Sequence, residues 1–465
     1  MILDGTPARV RFPFVGTMRS KVVPTAVLSG IVLFLGAPDL PAIIFFDTGD
    51  PAHNRETAPT GQLANSGWQF QGEYKEFLGT MISPRHFITA IHIGKGPTTF
   101  VQKSWFSGEA GDRVYYIDPN FNNGNGSRDI PGTDLRIFEV YGQFPAYAPL
   151  YTTSDEAGRQ AVMIGRGYPR GAEVTRFGQT RGWLWAPRDE RVRWGTNTVD
   201  GYADAGVRGP MLVTDFDDVA GSNECQATLG DSGGAVFVRK TNTWRLAGIL
   251  HAADSVYDTN STCGDGSEFF ASMFNGAGYF TGGDNATCDN WTLVTAANDL
   301  DESRTYASRI SASSQAIQAI IQPALDDEGK TSRQRFDEWL AGFGVGSGEE
   351  PDDDTDLDGW PNVLEYLAAH DPSTGDGSLR PFSLERQMEK IRFTVRIRLD
   401  AGARGLSWEI RSANDLESGN FQAMTGLTLV GLTRSLSEGV ETRDYEIARP
   451  SDARRFYRLE VTLGP

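Results

Sequence analysis

The chain has 465 residues, enough for about three domains at ~150 residues each. Hydrophobic residues make up 39% and charged residues 22%, so most of it can bury a core, while three cysteines exclude a disulfide-dense scaffold and a four-cysteine zinc site. A net charge of -18 repels phosphate backbones and argues against a nucleic-acid partner. The five histidines, His53, His86, His92, His251 and His370, include no H-x-x-x-H pair for a histidine-based metal centre.

Residues 1–42 read as an export signal. Arg19 and Lys21 precede an apolar run from Val22 to Ala37, with small residues at Gly36, Ala37 and Ala42 offering cleavage positions. Met18 would begin a conventional signal, so the true start is expected there. The run is short for a membrane span. No stable span is expected after cleavage, and the mature protein is expected to be secreted, periplasmic or at a bacterial cell surface. In an oxidising compartment Cys225, Cys263 and Cys288 are an odd set, allowing one bridge and leaving one thiol over.

From residue 43 to 323 short strands alternate with Gly, Asn, Asp and Pro turns. The pattern predicts strands at Phe77–Ile82, Phe87–Ile91, Asp134–Val140, Ala161–Ile164, Gly234–Val238 and Trp244–Leu250, a mainly β domain. Over Arg309–Ile321 the period changes, and Ile310, Ile317, Ile320 and Ile321 predict a closing helix. Residues 322–332 read as a polar linker. Phe336, Trp339, Leu340 and Phe343 mark a short amphipathic helix, and a second helix is expected at Asn362–His370. Residues 376–465 return to β character, with strands predicted at Ile391–Leu399, Ser407–Arg411, Asp444–Ile447 and Phe456–Leu463.

The sharpest local signal is Gly230-Asp231-Ser232-Gly233-Gly234 before the apolar strand Ala235-Val236-Phe237-Val238. A nucleophilic serine needs a tight turn that exposes Oγ, and backbone N–H groups to hold a developing oxyanion. Glycines on both sides permit that turn. A serine also needs a base. His92 follows the stretch from Leu78 through Thr89, Ala90 and Ile91, whereas its rival His86 sits at the start of a strand. A carboxylate should orient the base, and Asp134, entering an alternating strand at Gly132-Thr133-Asp134-Leu135, is the best placed.

The order His92, Asp134, Ser232, with separations of 42 and 98 residues, resembles the chymotrypsin/trypsin-like serine peptidase family. Met163-Ile164-Gly165-Arg166-Gly167, Ala247-Gly248-Ile249-Leu250-His251 and Tyr306-Ala307-Ser308-Arg309-Ile310-Ser311 extend the likeness over residues 43–323. The resemblance implies two six-stranded barrels with the site between them, an oxyanion hole from the N–H groups of Gly230 and Ser232, and no cofactor for catalysis. It implies a specificity pocket with Gln226 at its base and His251, Ala252 and Ala253 in its wall. A Cys225–Cys263 bridge near that pocket would depart from the family's usual offsets. Gln226 does not support a preference for Lys or Arg, so the cleavage preference stays open. The expected activity is that of a serine endopeptidase on peptide or protein substrates. An esterase with the same triad and a non-catalytic adhesin or binding protein on this fold are the alternatives. The oligomeric state is not legible.

Between 324 and 375 an acidic loop places Asp354, Asp356, Asp358, Trp360, Asn362 and Glu365 at positions 1, 3, 5, 7, 9 and 12, with Gly359 at position 6. Four carboxylates, a side-chain amide and the Trp360 carbonyl at this spacing suit calcium. The loop resembles the EF-hand-like loops of exported bacterial proteins, of the dockerin and thrombospondin-repeat type, which implies a structural calcium ion. The ending Arg454-Arg455-Phe456-Tyr457-Arg458-Leu459-Glu460-Val461 is similar to β tails appended to secreted bacterial enzymes.

Overall fold

A computed structural model describes residues 43–218, 221–262, 264–282, 291–295, 302–375, 380–417, 419–450 and 455–464. The expected signal region, 1–42, lies outside the described residues, as do Cys263 and Cys288. Among the described residues the strands form six antiparallel sheets, and the chain is mainly β.

Two seven-stranded sheets carry the amino-terminal half. The first orders its strands Arg113–Tyr116, Thr99–Gln102, Gln71–Tyr74, Phe77–Met81, His86–Ala90, Leu135–Glu139 and Arg128–Asp129. The second runs Arg193–Thr198, Gln160–Gly165, Ala235–Lys240, Thr243–Ala253, Arg304–Arg309, Pro210–Asp215 and Gly201–Asp204. One apolar cluster joins them. It extends from Leu78, Phe87 and Phe100 to Ile164, Phe237 and Ile249, and on to Ile310 and Ile317 of the following helix. Glycine makes room where rings cross a sheet. A Cβ on Gly72 would lie 2.3 Å from the Phe100 ring, which stacks on Phe87 at 4.3 Å. A six-stranded sheet containing the hairpin Arg170–Arg176 and Gln179–Trp185 flanks this half.

The closing helix runs Ile310–Glu328, through the first part of the expected linker and past Pro323. The linker assignment is corrected by two contacts that polar composition hid. Ala324 stays on the buried stripe, and Gln318, Gln322 and Asp326 form a ladder of side-chain hydrogen bonds at i, i+4. The next helix, Ser332–Gly342, starts at a capping box made by Thr331 and Gln334. Phe336 and Leu340 are buried, whereas Phe343, expected on the same stripe, is 40% exposed because the helix ends before it. The last helix is Asn362–Ala368, stopped by Ala369 at φ +55°.

These two helices share a core with the carboxy-terminal strands. Phe336, Leu340, Tyr366 and Leu367 pack with Phe393, Val395, Ile410 and Leu459. Lys390–Arg398 alternates buried and part-exposed side chains along its length, as a strand with one covered face should. The hairpin Thr428–Ser435 and Val440–Ala448 reaches the first sheet's flank. There Asn120 Nδ2 donates to Ser437 O at 2.9 Å, and Arg434 lies over the Tyr116 ring.

Phe100 has no exposed surface and its ring fills the space two glycines leave, so Phe100→Ala opens a cavity that cannot close by side-chain movement alone. Urea unfolding should register a loss of about 3–5 kcal/mol. A loss below ~1 kcal/mol would mean this cluster is not a cooperative core.

Candidate active site

Strand register brings Asp134 to His92. Ala90 pairs with Leu135, so the residues just beyond each strand end are neighbours. Ile91 N donates to Asp134 O at 2.7 Å, and His92 N donates to Asp134 Oδ1 at 3.0 Å. The same carboxylate turns the ring: Asp134 Oδ2 lies 2.5 Å from His92 Nδ1. The far ring nitrogen, Nε2, is 2.7 Å from Ser232 Oγ.

Ser232 arrives from the other sheet. Its turn precedes Ala235–Lys240, and Gly233 N donates to Leu250 O at 3.0 Å, tying the turn to the next strand. Asp231 is buried beneath it. Its Oδ1 accepts from Gly167 N at 2.6 Å and its Oδ2 from Thr228 N at 2.7 Å. Burial pushes the Asp231 carboxyl up to about 6, against the pull of those hydrogen bonds. The amides of Asp231, Gly233 and Gly234 are all used internally, and those of Gly230 and Ser232 carry no bond among the described residues. Gly230 holds φ +92° and lines the same cleft as Ser232. This is an arrangement that can receive an oxyanion.

Asp134 has no exposed surface and collects four donors. His92 N and Arg208 Nη1, the latter at 2.9 Å, serve Oδ1; His92 Nδ1 and His251 Nδ1, the latter at 2.7 Å, serve Oδ2. Burial pushes this carboxyl up, but the bonds from His251 and His92 outweigh it and hold it well below the usual carboxylate range. Arg208, on the one-turn helix Gly206–Arg208, carried no signal in the sequence, since its approach depends on a loop from the second sheet. His86, the rival base, is buried. It bonds Ser83 Oγ at 2.7 Å, and burial together with Arg85 pushes its imidazole down to about 3.

The cleft beside Ser232 holds about 600 Å³ and has Tyr168, Trp185, Leu229, Ala252 and Ala253 in its walls. Gln226, expected at its base, requires correction. Only 1% exposed, it is not part of the lining; its strand pairs with Ile44–Phe45, and its Nε2 is spent on Asp254 O at 3.0 Å. His251 lines the cleft, but its Nδ1 is committed to Asp134. Cys225 is a buried free thiol among the described residues, pushed up by burial; its expected partner Cys263 lies outside them.

The acidic loop folds around its own carboxylates. Gly359 N, Asp358 N and Trp360 N donate to Asp354 Oδ2, Asp356 Oδ1 and Asp358 Oδ1, and Gly359 takes φ +98°. The opposite oxygens, Asp354 Oδ1, Asp356 Oδ2 and Asp358 Oδ2, are buried without a hydrogen bond. Each of the three residues brings a ligand oxygen within 4.8 Å of the others. Burial and the neighbouring Asp358 and Asp354 push the Asp356 carboxyl up. Glu365 is 1% exposed in the first turn of the adjoining helix. The donor set therefore fits a hard divalent cation. Asn362 departs from expectation: its Oδ1 accepts from Thr355 Oγ1 and its Nδ2 donates to Glu350 O, so its side chain is used within the loop.

Gly233 holds φ +78°, and a Cβ there would lie 2.3 Å from Thr89 Oγ1 and 2.6 Å from Leu78 O. Gly233→Ala should therefore shift the Ser232 turn off the His92 strand. Reactivity of Ser232 should fall at least ~10²-fold, since small displacements of reacting groups cost that much; unchanged reactivity would show that the turn tolerates displacement.

No protein-family model matches the chain, and no curated protein is significantly similar to it.

Proposed function

We propose that the chain is an exported serine endopeptidase of the chymotrypsin/trypsin-like type, acting on peptide or protein substrates through His92, Asp134 and Ser232. The observation that carries this reading is the continuous relay Ser232 Oγ, His92 Nε2, His92 Nδ1, Asp134 Oδ2, with contacts of 2.7 and 2.5 Å. Two facing sheets that supply base and nucleophile from opposite sides support the two-barrel likeness, as does the order of the three residues. A cleft with aromatic and small apolar walls supports binding of a substrate side chain.

The chemistry follows from the geometry. A substrate carbonyl carbon above Ser232 Oγ is attacked as His92 Nε2 takes the hydroxyl proton. Negative charge gathers on the carbonyl oxygen, where the Gly230 and Ser232 amides can donate to it. Asp134 keeps the proton on Nδ1 and stabilises the imidazolium. His92 then gives its proton to the leaving amine, and the peptide bond breaks. A water deprotonated by His92 attacks the acyl-enzyme, and Ser232 Oγ departs with the returned proton.

The second part of the proposal is a structural calcium ion at Asp354, Asp356, Asp358 and Glu365, with the Trp360 carbonyl. When bound, it would neutralise carboxylates that otherwise repel one another. Because the loop's helix shares a core with the tail, its effect belongs to that half of the protein. Among the described residues no helix is long and apolar enough to cross a membrane.

Ser232→Ala and His92→Ala should each lower hydrolysis of a peptide library at least ~10³-fold with an unchanged CD spectrum. Near-normal turnover by Ser232→Ala would sink the assignment, and turnover of simple esters alone would make the protein an esterase. Calcium at about 100 times its Kd should stabilise the full chain by ~2.7 kcal/mol. Glu365→Ala should remove most of that gain. Chelation should leave small-peptide cleavage intact. Calorimetry without a calcium signal at millimolar concentration would leave the loop an acidic connector.

A further inference from the structure

His251 lines the cleft, and its ring is also turned onto the Asp134 carboxylate. The backbone explains the turn. The strand Thr243–Ala253 pairs with Arg304–Arg309 through Leu250 and Ala307, then through Ala252 and Tyr306, so the register slips by one residue at His251. A bulge of this kind leaves one residue unpaired and re-aims its side chain. His251 Nδ1 thereby reaches Asp134 Oδ2 at 2.7 Å, the same oxygen that His92 Nδ1 meets at 2.5 Å. The two imidazoles stand edge to face with centroids 5.1 Å apart.

We propose that His251 is a titratable positioning residue: it holds the Asp134 carboxylate for His92, and it must be neutral for the triad to work. This rests on the triad reading above. Asp134 Oδ2 can only accept, so both rings carry a proton on Nδ1. Neutral His251 adds a donor that fixes the carboxylate without adding charge. Protonated on its other nitrogen, it becomes a cation bonded to the oxygen that must stabilise the His92 imidazolium. The two cations then compete for one carboxylate and repel across a short distance.

The other charged group on Asp134 is Arg208, whose guanidinium bonds Oδ1 at every working pH. Oδ2 is therefore left to the two histidines. Sites coupled this closely titrate as a pair. Because the two cations repel, the second proton is taken up only at lower pH than the first, so the acid limb of kcat/KM should begin with a slope of one and steepen toward two, where one imidazole keeps a slope of one throughout.

The experiment is a pH–rate series on the full-length protein with a peptide substrate, comparing wild type, His251→Asn, His251→Ala and Ser232→Ala. Asparagine keeps an N–H near the position of Nδ1 but cannot titrate. His251→Ala should lower plateau kcat about 10- to 100-fold, the usual cost of losing a bond to a charged group, with a smaller change in KM. His251→Asn should recover most of that kcat and show a one-proton acid limb. Three results would overturn the inference: a wild-type limb whose slope never exceeds one, a steepening limb that persists in His251→Asn, or a His251→Ala effect confined to KM. Hydrolysis that does not depend on Ser232 would instead overturn the triad reading.

Discussion

Asp134 places a full negative charge where no water reaches it, and the rest of the site is arranged around that charge. An ionised carboxylate without partners is expensive to bury. Here two donors serve each oxygen, from a backbone amide, an arginine and two imidazoles. These partners hold the carboxyl in its ionised form, with a folded pKa below the unfolded one. Its contribution to stability is thus present above the ordinary carboxylate pKa near 4 and is lost as acid titrates through the lower folded value.

The donors come from three separate places. His92 follows a strand of the first sheet, Arg208 sits in a loop of the second, and His251 sits on a bulge of the second. The buried charge consequently acts as a tie between the sheets, placed beside the cleft where a substrate would lie. The Ser232 turn is fixed separately, through Asp231 below it and Gly233 against the first sheet. His92 and Ser232 meet because both anchors are satisfied together. The acidic loop stands apart from this arrangement and is built into the core of the carboxy-terminal strands.

What could be read from the sequence follows the range of the interactions. Strands with clear alternation or apolar runs, such as Phe77–Met81 and Phe456–Leu463, fall within a residue or two of where the pattern puts them. Their signal is carried by the residues themselves. The glycine-framed serine and the spacing of the acidic loop are equally local. The hairpin Arg170–Arg176 and Gln179–Trp185 was not legible, because arginines and glycines interrupt its alternation. Arg208, the aim of His251 and the withdrawal of Gln226 were hidden for another reason. Each depends on contacts with residues dozens of positions away, and His251 depends on a slip in strand pairing that no single segment encodes. The helix beyond Ile321 was obscured by its polar face, since its buried side there rests on Ala324 and Leu325.

The most direct test of the central claim is to treat the full-length protein with a fluorophosphonate and locate the adduct by peptide mass spectrometry. A serine hydroxyl is a weak nucleophile unless a base activates it. The account predicts a single stoichiometric adduct on Ser232, formed in the folded protein, abolished by denaturation and greatly slowed in His92→Ala. Failure to label, or an adduct on a different serine while Ser232 stays free, would contradict it.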